Sequence, residues 1–232
     1  TSGVGKSDEK HTGLSIFSKS PNGDIQKTIS PGANVESKAD QVPEEIMDRH
    51  AVILIQSDLS MDENLKLLEK AKKQATRTIL NLSPSINVTK DILDRVNYLI
   101  MNTKDSERLA EKLQIPLKDN TNKIAQVLAK YGNLTCIITR GADGAIAYTS
   151  EGEGWEIPAL NIGEMVDHTG AEDAYCGTFA ACLHESIPLQ SALKRASIAA
   201  SLTCRAHGGQ ESFPYLSEIN EHLSRLGEVK KL

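Results

Sequence analysis

The residues best placed to do chemistry lie between Val166 and Tyr175, where a short polar loop runs into an apolar helix. Gly170 permits a tight turn, so the first N–H groups of the following helix point outward without partners. With the helix dipole, they form a site for an anion. Asp173 sits in the first turn beside it. A carboxylate next to a bound phosphate can take the proton from an attacking hydroxyl. The same residues fit a plain helix start, with Thr169 as N-cap and Asp173 as a dipole-complementing acid. On spacing alone both readings stay open. So does a capping box for Asn102 and Asp105, and so does an ordinary β-turn for Thr139, Gly141 and Gly144.

The elements that must position these residues follow from apolar periodicity. Residues 13–17 and 25–29 alternate around Pro21-Asn22-Gly23-Asp24, which reads as a β-hairpin. Ala51–Ile55, Thr78–Leu82, Val96–Met101 and Leu134–Thr139 are apolar runs expected of strands buried on both faces. Ala145–Tyr148 reads as an antiparallel strand after Gly141 and Gly144. Helices are expected at 62–74, around 90–95, after Asn102, and along the face of Ile124, Val127, Leu128 and Tyr131. Others are expected at 172–184, at 189–205, and where Leu216, Ile219, Leu223 and Leu226 share a face. Strand and helix in alternation predict an α/β layer fold with a largely parallel sheet. In such sheets ligands bind at loops beyond the carboxyl ends of strands, where the residues above lie.

Composition narrows the partners. Among 232 residues, 26 are Lys or Arg and 31 Asp or Glu, a net charge of −5. That opposes non-specific nucleic-acid binding, which needs clustered cations. No apolar run approaches the ~18 residues of a membrane span, and the polar start TSGVGKSDEK is not a signal peptide. The expected location is the cytoplasm. Cys136, Cys176, Cys182 and Cys204 are scattered and fit a reducing compartment as small apolar residues. Gly3–Ser7 carries the end of a P-loop but lacks its first Gly, its strand and its helix, and so reads as a flexible segment. The sequons at Asn87 and Asn133 read as chance matches. His168 and His207 receive no role.

Asp167-His168-Thr169-Gly170-Ala171-Glu172-Asp173 closely resembles the D-T-x-G-A-G-D signature of the ribokinase-like (PfkB) carbohydrate kinases. Other segments agree with that family in order and spacing from about residue 12 onward. Pro31–Asn34 resembles the G-A-N after the lid hairpin, and Asn81–Pro84 the N-x-x-P strand end. Asn102–Asp105 resembles N-x-x-E, Thr139–Gly144 resembles T-x-G-x-x-G, and Gly208–Pro214 resembles G-A-x-x-S-x-P. Gly32–Asn34 and Gly208–Pro214 look most like the ribokinase branch.

The resemblance implies a three-layer α/β/α sandwich with a mostly parallel central sheet and a small β lid. Residues 1–34 would be a partial lid and 35–232 the nucleotide-binding body. It implies transfer of the γ-phosphate of ATP to a sugar hydroxyl, with D-ribose to ribose 5-phosphate as the first expectation. Fructokinase or nucleoside kinase chemistry is the near alternative, and an inactive binding or structural subunit the distant one. By this match Asp173 is the catalytic base, and the N–H groups from Gly170 through Ala171 and Glu172 to Asp173 hold the developing anion. Asn102 and Asp105 help place Mg²⁺ and phosphate, and Thr139, Gly141 and Gly144 line the nucleotide. Asp167, Thr169, Thr203, Ala206, Gly208 and Ser212 match the positions that hold an activating K⁺. Asp58 matches a sugar-contacting acid, with Asn34 facing the same pocket. Sugar and ATP are the implied partners, together with a homodimer through the lid.

Three departures from the pattern carry consequences. Glu172 stands where the family has Gly. A desolvated carboxylate there repels the γ-phosphate, and one turned to water repels it far less. Asp105 stands in place of a Glu and is one methylene shorter. The family's N-terminal strands and their sugar site have no counterpart here; a sheet without them would expose a long edge, which proteins avoid, so the expectation is an omitted or truncated segment and not a natural compact form.

Overall fold

The computed structural model describes residues 3–20, 22, 25–57, 60–83, 88–117 and 120–232. A two-stranded antiparallel ribbon, β1 (Leu14–Lys19) and β2 (Ile25–Ser30), comes first, in register from Leu14 opposite Ser30 to Lys19 opposite Ile25. Pro21, Gly23 and Asp24 of the expected turn lie outside the described residues, as does Pro84. The body alternates strands and helices: β3 (Val52–Gln56), α1 (Met61–Lys73), β4 (Arg77–Asn81), α2 (Lys90–Leu93), β5 (Tyr98–Asn102), α3 (Thr103–Lys112), α4 (Thr121–Gly132) and β6 (Thr135–Thr139). There follow β7 (Ala145–Tyr148), β8 (Gly154–Ile157), α5 (Ala171–His184), α6 (Leu189–Thr203), α7 (Leu216–Glu221) and β9 (Lys230–Lys231).

Seven strands form one sheet in the order β3-β4-β5-β6-β7-β8-β9. The ladders from β3 to β6 are parallel and those from β6 to β9 antiparallel. Strand periodicity divides the core in two. Ile79, Ile100 and Ile137 point to one face, where they meet Phe179, Leu193 and Ile198 of α5 and α6. Their neighbours Leu80, Leu99, Met101 and Ile138 point to the other, where they meet Leu68, Leu109 and Leu128 of α1, α3 and α4. A sheet buried on both faces explains the near-continuous apolar runs of its parallel strands. The result is the expected α/β/α sandwich. The rings of Tyr98 and Phe179 pack edge to face at 5.3 Å, tying β5 to α5.

Several boundaries differ from expectation. The strand placed at Val96–Met101 runs from Tyr98 to Asn102, because the Asn97 side chain instead accepts the Thr78 N–H at 2.8 Å and so ends the preceding turn. The last helix stops at Glu221, and Leu226 reaches the core from the turns beyond it. Strands β8 and β9 complete the antiparallel side. Among the described residues no helix is long and apolar enough to cross a membrane. β3 borders the sheet, with Leu54 exposed.

Candidate active site

The parallel strands deliver two of the candidate residues side by side. Asn102 ends β5 and Thr139 ends β6, paired directly across the ladder. Asn102 also caps α3: its Oδ1 accepts the Asp105 N–H at 2.9 Å, and its Nδ2 donates to Asp105 Oδ2 at 2.8 Å. Asn102 thus caps α3, and Asp105 is buried against its side chain. Beyond Thr139 the chain turns through Gly141 and Gly144, both at positive φ. A side chain at 144 would collide with the Ile157 carbonyl, so the tight approach of this turn to β8 requires glycine.

The helix start at α5 differs from the local capping alternative. Gly170, at φ +79°, is the N-cap, and no side chain caps the helix. The Thr169 hydroxyl donates to Asp167 Oδ1 at 2.8 Å and so does not cap the helix. Ala171 N–H reaches the His168 carbonyl at 3.2 Å, while the N–H groups of Gly170, Glu172 and Asp173 have no acceptor among the described residues. The amide cradle is thus open, and the Asp173 side chain beside it is exposed to solvent. A Cβ on residue 170 would lie 2.8 Å from the Phe213 ring, which packs over the turn.

Behind the cradle opens a cavity of about 610 Å³. Asn102, Thr139, Gly141, Gly144, Ala171 and Glu172 all line it, so six of the candidate residues share one space. His168, which sequence reasoning left without a role, lines it as well. The opposite wall was missed altogether: Ala159 to Gly163 face Ser197, Ala200, Ser201 and Cys204 of α6 and its end. That wall is stapled in place. Leu160 N–H donates to Ser201 Oγ at 3.1 Å, and Ser197 Oγ donates to the Pro158 carbonyl at 2.6 Å. Its mix of small apolar side chains and backbone polar groups suits a flat heterocycle.

Glu172 turns inward. It is half-buried and lines the cavity, and its Oε1 is buried without a hydrogen-bond partner. Loss of water raises its carboxyl to about 7, with the Asp105 and Asp173 charges adding to the rise and Asn102 opposing it.

Asp167 laces two loops together. Its Oδ1 accepts the Thr169 N–H at 3.0 Å and the Thr169 hydroxyl, and its Oδ2 accepts the Gly208 N–H at 3.2 Å. Those bonds, led by the Thr169 amide, hold the acid down at about 2. The Val166 N–H joins the Cys204 carbonyl at 2.9 Å, and Ser212 Oγ reaches the carbonyls of Gly208 and Gly209 at 2.9 and 2.8 Å. Asp167, Thr169, Gly208 and Ser212 are thereby brought together. Thr203 is buried inside α6, its hydroxyl on the Ala199 carbonyl at 3.0 Å, and Ala206 is exposed. Asn34 does not line the cavity. It sits in the turn after β2, where its amide group packs on Gly13. Asp58 lies outside the described residues.

The comparisons with known proteins agree with this geometry. Residues 1–216 match the family described as pfkB family carbohydrate kinase. The ribokinase of Lactococcus lactis is 30% identical over 201 residues, covering 85% of this chain and 63% of that protein. The chain therefore spans somewhat less than two thirds of that relative's length. The ribokinase of Thermotoga maritima superposes with a TM-score of 0.83 at 23% identity, over 93% of this chain and 70% of that one. A ribokinase of Arabidopsis thaliana complexed with ribose and ATP superposes with a TM-score of 0.80 at 22% identity, over 92% and 70%. At these identities the two structures establish the fold. A deoxyribokinase and an archaeal nucleoside kinase of the ribokinase family also match.

Proposed function

The chain belongs to the pfkB family of carbohydrate kinases, and from that premise we propose that it moves the γ-phosphate of ATP to a sugar hydroxyl, with D-ribose as the first acceptor to test. The observation that carries the reading is the pairing of an open amide cradle and an exposed Asp173 at the head of α5 with the cavity directly behind them.

In this reading the nucleotide base lies between the 159–163 segment and α6, and its phosphates run past Thr139 and Gly141 toward the cradle. Asp173 takes the proton of the attacking hydroxyl. The N–H groups of Gly170, Glu172 and Asp173 stabilise charge on the transferring group, and they are set before the reaction begins. Asn102, which lines the cavity, with Asp105 bonded behind it, would hold the water shell of Mg²⁺, and that ion when bound would neutralise charge on the phosphates. The donors around Asp167 fit a monovalent cation: one carboxylate ionised throughout the working pH range, with neutral oxygens from Thr169, Gly208 and Ser212 nearby. Backbone oxygens of Thr203 and Ala206 complete the proposed set. Bound there, K⁺ would fix the loop that carries the cradle.

Ribose-dependent release of ADP in the presence of Mg²⁺ and K⁺ tests the proposal. Asp173→Asn should lower turnover by about 10²–10⁴-fold while leaving the fold intact. A second reading, an inactive subunit, is favoured by one observation, the inward turn of Glu172 into the cavity. Absence of turnover with ribose, fructose and nucleosides, alongside a stable complex with a partner protein, would establish that reading instead.

A further inference from the structure

A second cavity, of about 460 Å³, opens on the far side of the 160–163 segment and has no part in the mechanism above. Arg205 and Arg225 supply its charge, His222 lies beside them, and no carboxylate is among its lining residues. In a chain with a net charge of −5, this is a local reversal of sign in a concave place.

The groups are partly free to bind. Arg225 has no ion-pair or side-chain partner among the described residues. Arg205 reaches the Glu218 carboxylate only at 3.5 Å, and that carboxylate is otherwise held by the Tyr215 N–H at 2.8 Å. His222 donates its Nδ1–H to the Glu218 carbonyl at 2.8 Å, which leaves Nε2 as an acceptor for a hydroxyl of the ligand. Asn161 accepts the Gly163 N–H with its oxygen at 3.0 Å, so its amide N–H groups are available at the rim. The remaining wall is the 160–163 segment, with Leu160 and Leu202 buried behind it.

We propose that this cavity binds a small, polar phosphomonoester, its phosphate between Arg205 and Arg225 and its hydroxyl-bearing organic part along the 160–163 segment beside Asn161. Two guanidinium forks match the oxygen geometry of a phosphate and carry its double charge. A volume larger than a bare ion fills, and the polar rim at Asn161, select an ester over the free anion. The site does not depend on the kinase reading.

Amide and arginine side-chain NMR shifts, measured on the whole chain at constant ionic strength, test this with glycerol 3-phosphate, orthophosphate and chloride as probes. Glycerol 3-phosphate should move the signals of Asn161, Gly163, Arg205 and Arg225 in a saturable way, and more tightly than orthophosphate does. Tighter binding of orthophosphate would assign the site to the free ion and overturn the ester. The double variant Arg205→Gln, Arg225→Gln should weaken binding at least about tenfold, with its melting temperature in the absence of anion unchanged because both side chains are exposed. Shifts confined to Gly170–Asp173, equal shifts with chloride, or undiminished binding in the double variant would each overturn the proposal. If the variant misfolds, the position of the shifts in the unaltered chain still decides.

Discussion

The Asp167 carboxylate accepts the Gly208 backbone N–H at 3.2 Å, joining two loops 41 residues apart in sequence. Folding lowers this acid to about 2 from an ordinary 3.8. On acidification the unfolded chain therefore takes up the proton first. The stability contributed is full above pH 3.8 and lost as pH falls to about 2. Urea denaturation of Asp167→Asn across that window should show a flatter pH dependence than the unaltered chain. An identical acid limb would mean that the two loops hold together without this carboxylate.

Glu172 titrates with the opposite sign. Folding raises it from 4.5 to about 7, so the folded form resists ionisation. The penalty is absent below pH 4.5 and complete above about 7. Glu172→Gln should stabilise the protein above pH 7, by an upper bound of about 3 kcal/mol from the size of the shift, and change little below pH 4.5. Denaturant midpoints at pH 4 and pH 8 check this. Glu172→Gly removes the carboxylate from the cavity and should tighten ATP binding or raise turnover, read by calorimetry and steady-state kinetics.

Two glycines separate backbone strain from collision. Gly141 and Gly170 both have positive φ, but only at 170 does a Cβ meet a neighbour, the Phe213 ring at 2.8 Å. Gly141→Ala should cost about 1–2 kcal/mol for the left-handed backbone alone. Gly170→Ala should cost more, and adding Phe213→Ala should recover the excess. Thermal unfolding of the two single variants and the double variant measures the coupling.

Tyr175 is buried, and its hydroxyl has no partner among the described residues. Burial also pushes its phenol well above the ordinary range. A buried unpaired hydroxyl contributes nothing to offset its desolvation. Tyr175→Phe should leave stability unchanged or raise it by up to about 1 kcal/mol. A clear loss in urea denaturation would reveal a hydrogen bond to water at this position.

Where sequence and structure agree, the reason is periodicity. Ile79 and Leu80, or Ile137 and Ile138, are apolar neighbours because the sheet is covered on both faces, and a run of that kind is visible without coordinates. β8 was not visible, because Gly154-Trp155-Glu156-Ile157 is short and carries a charge that only the pairing with Arg140 at 2.9 Å explains. β9 is two lysines, ordered by their place beside β8. At the site, the polar loop around Asp167 to Asp173 was legible through its resemblance to the kinase signature, because spacing alone fits a plain helix start equally well. The wall from Ala159 to Gly163 was not, since small apolar residues signal core as readily as a ligand surface. Nor could spacing decide which way Glu172 points. That depends on the turn at Gly170, which aims the first helical residues back toward Asn102.

The sheet has unlike margins. One ends in the two-residue β9, and the other in five-residue β3, with Leu54 uncovered and one flank of its peptide groups unmatched among the described strands. An open ribbon of that length is a template for another chain.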